Sequence, residues 1–182
     1  MSSINRITVL GSGIMGHGIA QVSAMAGYNV TLRDIDQSFL DKAMEKIQWS
    51  LNKLVEKQKM TTSQAEEILG RILPVVDLRE ALRGADMMIE AVPEDMNLKR
   101  KVYNEVNQCS EANTIYASNT STLPITELGE LTTRPEHFIG LHFFNPPQLM
   151  QLVEVIPGKL TDQDITDKAM DYVRRIGKEP IL

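Results

Sequence analysis

Two rhythms of apolar residues alternate along this chain. Arg6–Leu10 (RITVL) is a short β-branched run that stops at a glycine, the mark of a buried strand. Ile14–Ala26 is small and apolar almost throughout, as a helix packed closely on a sheet would be. Gly27-Tyr28 ends it, and Asn29–Arg33 (NVTLR) is a second strand that stops at Asp34. Strand, helix and strand in this span make the unit that a right-handed parallel crossover needs. A long helix, Ser38–Lys59, follows, with Leu40, Ala43, Met44, Ile47, Leu51, Leu54 and Val55 at helical spacing. Thr61-Thr62-Ser63 supplies a cap for another helix, Gln64–Leu69.

Further on, the pattern predicts strands at Ile72–Val76, Asp86–Val92, Thr114–Ala117, Phe138–Phe143 and Leu152–Ile156. Helices are predicted at Leu78–Arg83, Asn97–Cys109 and Asp164–Ile176. Strands alternating with helices specify α/β architecture with a largely parallel, doubly wound sheet and a long helical excursion after the second strand. No repeat, low-complexity tract or linker interrupts residues 1–182, which read as one domain.

Composition narrows the class without naming a reaction. With 42% hydrophobic and 24% charged residues over 182 positions, the chain can bury one full core. A net charge of −5 favours solubility and argues against nucleic acid as a partner, which requires a basic face. Cys109 is the single cysteine, so no internal disulfide can form, and it reads as a half-buried bystander. The N-terminus lacks the basic start and apolar core of a secretory signal, and no apolar run approaches the roughly 20 residues that cross a bilayer. A cytoplasmic protein is expected, or a mitochondrial matrix one if a transit peptide has been removed, with no membrane partner. Three histidines and one cysteine leave no zinc-type ligand set, so no metal is expected, and His17 and His137 carry no assigned role.

The strongest chemical signal is the loop Gly11-Ser12-Gly13-Ile14-Met15-Gly16. A GxGxxG motif alone is weak. Here it follows a strand, opens a helix and is answered by Asp34 at the end of the next strand. Gly11 permits the tight turn, Gly13 lets backbone approach a pyrophosphate, and Gly16 lets the helix lie close to the strand. Ile14 and Met15 begin a helix whose free N–H groups and positive dipole end face the phosphates. With this loop the fold expected is Rossmann-type. A carboxylate at Asp34 accepts hydrogen bonds from the adenosine ribose and repels a 2′-phosphate, so NAD is expected rather than NADP. Arg33 could accommodate that phosphate, but strand alternation should turn it to the face opposite Asp34.

His142 and Glu154 form a candidate acid–base pair near the facing ends of two predicted strands. If Phe143 pairs with Gln151 across the Pro146-Pro147 turn, His142 sits opposite Leu152 and Glu154 is its diagonal neighbour on the same face. An imidazole held by a carboxylate keeps one tautomer and suits proton removal near neutral pH. A core histidine and an edge charge are the other reading of the same two residues.

The stretches GSGIMGHGIAQ, EAVPEDMNLKRKVY, ASNTSTLPITEL and GLHFFNPPQLMQLVEVI, in this order, resemble the L-3-hydroxyacyl-CoA dehydrogenases, including the 3-hydroxybutyryl-CoA enzymes. The resemblance covers nearly the whole chain. It implies that His142 takes the proton of a 3-hydroxyl while hydride passes from C3 to the nicotinamide, with Glu154 orienting the imidazole. It also implies that Ser121 lies near both substrate oxygen and nicotinamide, and that Asn119 and Asn145 meet the cofactor. Ala91, Val92, Glu94 and Lys99 are placed against the cofactor too, although Lys99 by itself could be a solvated helix charge. Ser50 and Lys57, two turns apart on one helical face, match positions that touch CoA. Lys57 reads equally well as an ordinary solvated lysine.

The family resemblance further implies a helical domain after residue 182, bringing dimer contacts, much of the acyl pocket and a further asparagine. From this we expect the chain alone to bind NAD with little or no turnover, and the full-length enzyme to be a homodimer acting on acyl-CoA. Two rivals stay open: an L-gulonate 3-dehydrogenase of the lambda-crystallin type, and a non-catalytic NAD-binding module.

Overall fold

Among residues 4–182, which the computed structural model describes, eight strands line up in one sheet. Met1, Ser2 and Ser3, where a leader would start, lie outside the described residues. In chain order the elements are β1 (Arg6–Leu10), α1 (Ile14–Met25), β2 (Asn29–Arg33), α2 (Gln37–Glu56), α3 (Thr62–Gly70) and β3 (Ile72–Val75). Then come α4 (Leu78–Leu82), β4 (Met87–Glu90), α5 (Met96–Cys109), β5 (Ile115–Ser118) and α6 (Ile125–Gly129). A 3-10 turn (Pro135–His137) leads into β6 (Phe138–Phe143), followed by β7 (Leu152–Pro157), α7 (Gln163–Arg175) and β8 (Glu179–Ile181). The sheet order is β3-β2-β1-β4-β5-β6-β7-β8, and every pair is parallel except β6–β7. The order reverses between β1 and β4, so the connections after them leave in opposite directions and open a crevice at their carboxyl ends.

Alternation along the strands builds a core on each face of the sheet. Ile7 and Val9 of β1 and Met87 and Ile89 of β4 pack with α1, α2 and α7, while Leu10 and Met88 pack with Tyr103, Tyr116 and Phe138 on the other side. Glu90, the last residue of β4, points into this second layer and is fully buried.

Caps explain several boundaries. Asp36 accepts the Ser38 N–H at the start of α2, and Thr61 with Gln64 forms a full capping box at the start of α3. Asp95 accepts the Leu98 N–H at the start of α5. The helix expected to reach Lys59 stops at Glu56, because Gln58 turns left-handed (φ 56°). The Lys59 N–H then bonds Leu54 O at 2.9 Å, a Schellman-type ending. Strand β8, helix α6 and the 3-10 turn lie outside the predicted elements: none exceeds five residues, and each has a proline in it or just before it (Pro180, Pro124, Pro135), which reads as a break. No helix among the described residues is long and apolar enough to cross a membrane.

Candidate active site

Over the carboxyl ends of β1, β2, β4 and β5 lies a cleft of about 590 Å³. The three motif glycines take different parts in it. At Gly11 the backbone is left-handed (φ 93°), and a Cβ there would come within 2.7 Å of Ala91 O. A Cβ on Gly16 would sit 1.7 Å from Gly11 O, so only glycine lets α1 start this close to the loop. At Gly13 a Cβ would meet nothing within 4 Å, because this residue faces the open cleft. Gly13 is the N-cap of α1 and offers no side chain to its first turn, which also carries no acidic residue. The N-terminal N–H groups are thus left to a ligand, and the cradle fits a pyrophosphate.

Of the residues expected at the cofactor, Gly11, Gly13, Ile14, Met15, Asp34, Ala91, Val92, Glu94, Asn119 and Ser121 all line this cleft. Asp34 Oδ2 accepts both the N–H and the hydroxyl of Ser12 at 2.7 Å, which joins the end of β2 to the glycine loop. Arg33 departs from expectation. It lines the same cleft as Asp34 instead of facing away, because β2 ends at Arg33 and strict alternation does not carry past it. Its Nε donates to Val76 O at 3.0 Å.

Glu94 organises the far wall. Its Oε1 accepts hydrogen bonds from the Thr120 hydroxyl, the Ser121 N–H (3.0 Å), and the Thr122 N–H (3.2 Å) and hydroxyl (3.1 Å). Burial pushes its carboxyl upward, but the Thr120 hydroxyl, the Lys99 charge and the Thr122 N–H outweigh this and hold it down at about 2. Lys99 is no solvated helix charge: it is buried behind the cleft, with Nζ 2.7 and 2.8 Å from the Glu90 oxygens and 3.2 Å from Glu94 Oε2. The Ser118 and Tyr103 hydroxyls and the Val92 N–H also donate to Glu90. Burial, and then the Glu90 charge, push the Tyr103 phenol well up, so it stays a donor. Sequence reading missed Glu90, whose signal was a carboxylate ending an otherwise apolar strand.

His142 and Glu154 meet more directly than expected. They are paired across the antiparallel β6–β7 ladder, and Phe143 pairs with Val153 rather than Gln151. The connecting loop is longer than a simple turn around the two prolines, so the register moves by two and the shared face survives. Nδ1 of His142 lies 2.7 Å from Glu154 Oε2, and the imidazole packs on the Phe144 ring at 4.7 Å between centroids. Asn119 Oδ1 accepts the Phe143 N–H at 2.9 Å, tying the histidine's strand to the loop that carries Ser121.

The loop after β6 holds Asn145, exposed and outside the cleft lining. It lies against α1 at Gly18, where a Cβ would press on Pro147 at 3.0 Å. Gln148 Nε2 donates to Gln21 Oε1, and Gln21 Nε2 donates to Ser50 Oγ, so Ser50 is connected to this loop through α1. Gly18, Gln21 and Gln148 had not been singled out. Lys57 is the exposed C-cap of α2.

Residues 6–182 match the family model described as "3-hydroxyacyl-CoA dehydrogenase, NAD binding domain". The chain is 42% identical over 173 residues to a probable 3-hydroxybutyryl-CoA dehydrogenase of Deinococcus radiodurans, covering 95% of this chain and 62% of that protein. It is 37% identical over 183 residues to the mitochondrial hydroxyacyl-coenzyme A dehydrogenase of Sus scrofa, covering 98% of this chain and 58% of that one. The crystal structure of (S)-3-hydroxybutyryl-CoA dehydrogenase from Ralstonia eutropha superposes with a TM-score of 0.96 at 37% identity, over 98% of this chain and 63% of that one. The chain therefore spans about three fifths of the length of these relatives. From the glycine cradle, the doubly wound sheet and these matches together, the chain belongs to the 3-hydroxyacyl-CoA dehydrogenase family, as its NAD-binding domain.

Proposed function

We propose that this chain is the cofactor-binding part of an enzyme that oxidises L-3-hydroxyacyl-CoA thioesters to 3-ketoacyl-CoA. The observation that carries this is the 2.7 Å contact between His142 Nδ1 and Glu154 on paired strands beside a dinucleotide cleft. An ionised carboxylate can only accept, so Nδ1 holds the proton and Nε2 of the neutral ring keeps a lone pair. That nitrogen takes the proton of the 3-hydroxyl, and Glu154 keeps the imidazole oriented as it becomes charged. NAD, when bound, supplies the acceptor for the hydride from C3. Ser121, on the cleft wall, donates to the developing carbonyl oxygen, and Asn145 contacts the cofactor from the β6–β7 loop.

Ser50 and Lys57 hold the CoA moiety, Lys57 through a phosphate. The helical domain of the longer relatives encloses the acyl chain, and the assembled enzyme is a homodimer of the cytoplasm or mitochondrial matrix. The test is reduction of acetoacetyl-CoA by NADH, by the chain alone and with a relative's downstream helical domain added. Turnover is expected only with the added domain, and H142N is expected to abolish it. Full turnover by the chain alone would contradict the division of labour. NAD binding without turnover in the reconstituted pair would contradict the activity.

A further inference from the structure

Glu90, Lys99 and Glu94 form a continuous charged group inside the wall of the cleft. Glu90 is 0% and Lys99 1% exposed, and the single ammonium bridges both carboxylates. Two carboxylates against one ammonium leave one negative charge. The remaining partners of Glu90 and Glu94 are hydroxyls and backbone N–H groups, which stabilise that charge without cancelling it. Arg33 is the basic residue of the cleft lining, and it sits at the opposite end beside Asp34.

Which half of the cofactor meets this group follows from the topology. The glycine loop takes the pyrophosphate and the end of β2 takes the adenosine, so the nicotinamide falls over β4 and β5. There Glu94, Asn119 and Ser121 line the cleft among apolar neighbours, Ala91, Val92 and Leu98. The nicotinamide ring carries a positive charge when oxidised and none when reduced. A fixed negative charge in partly apolar surroundings therefore discriminates between the two states.

We propose that the Glu90–Lys99–Glu94 group sets the redox preference of the site, holding NAD+ more tightly relative to NADH and so lowering the reduction potential of the bound cofactor, which biases the bound equilibrium toward hydride return to the ketone. This rests on the cofactor assignment above, and Glu94, which lines the cleft, is the member through which it is read. The measurement is calorimetric titration of the chain with NAD+ and with NADH, for the unsubstituted protein, E94Q, E94D and T120V. In E94Q, NAD+ binding is expected to weaken about tenfold and NADH binding less than about threefold, the size of one charge interaction at this depth. The resulting differential, about three- to tenfold, equals an upward shift of about 15–30 mV in the two-electron couple of the bound cofactor.

E94D keeps the charge and should keep the ratio near the unsubstituted value. T120V removes a hydroxyl from the same loop and leaves the charge, so it should weaken both forms alike. If E94Q does not fold, E94A reads the same ratio. Equal weakening of both forms by E94Q, or a T120V ratio shifted as far as that of E94Q, would overturn the proposal in favour of simple loop ordering. Binding of neither form by the unsubstituted chain would overturn the cofactor assignment first, and this proposal with it.

Discussion

Gly13 and Gly16 lie about one helical turn apart, and a methyl group added at each would meet opposite surroundings. At Gly16 it would sit 1.7 Å from a backbone oxygen, which no rotamer relieves; at Gly13 it would enter open space. G16A should therefore destabilise the fold by about 3 kcal/mol or more, through overpacking against rigid backbone. G13A should melt within about 2 °C of the unsubstituted protein, since the Gly13 backbone (φ −62°, ψ −160°) suits any residue, yet lose NAD affinity at least about tenfold. Thermal melts paired with NAD titration separate the two, and equal effects would contradict the roles given to these glycines. Glu94 makes a prediction of the same kind with pH. Its folded-state value, about 2, is depressed from the ordinary 4.5, so the order it gives the 120–122 turn is fully present above 4.5 and lost only as pH falls toward 2. Its contribution to NAD affinity should be unchanged when E94Q and the unsubstituted chain are compared at pH 7 and at pH 5.

At the scale of elements, legibility followed length and composition. Strand β1, helix α1 and strand β2 were readable because β-branched residues, small residues and a glycine punctuate them clearly. Strand β8, with a proline among three residues, gave no period to read. The end of α2 was misplaced by three residues because the apolar spacing continues to Val55 and nothing local marks Gln58 as left-handed. A glycine there would have been the usual sign. Gln58 pays a steric penalty that glycine lacks, so Q58G should stabilise the protein by about 0.5–1 kcal/mol, read as a higher urea midpoint at constant m-value. Lys99 shows the opposite failure. On α5 it reads as a surface lysine, but a strand-end carboxylate nine positions earlier draws it inside, and one-dimensional periodicity does not couple such distant positions. K99M leaves the fully buried Glu90 without its cation, and about 3–5 kcal/mol of stability should be lost in the same urea titration.

Across the whole molecule, the cleft gathers residues from the carboxyl ends of four strands, whereas His142 and Glu154 stand on the next two strands along the sheet. The same sequence patterns announced both regions, but only pairing across β6 and β7 fixed how the histidine and glutamate meet, since the length of the intervening loop set the register. This separation predicts that cofactor binding and proton transfer can be uncoupled. NAD bound only by the folded chain should stabilise it by about 2.7 kcal/mol at a hundredfold excess over Kd. For a chain of this size that amounts to a rise of roughly 5–10 °C in Tm. E154Q keeps every group that lines the cleft, so it should show the same NAD-induced rise while turnover of the reconstituted enzyme falls at least about tenfold, the imidazole having lost the carboxylate that orients it. G13A should do the reverse, losing about half or more of the thermal shift through the cradle alone. A loss of the NAD-induced shift in E154Q would mean that the two strand pairs form one cooperative site, and the nicotinamide end would then have to extend over β6 as well.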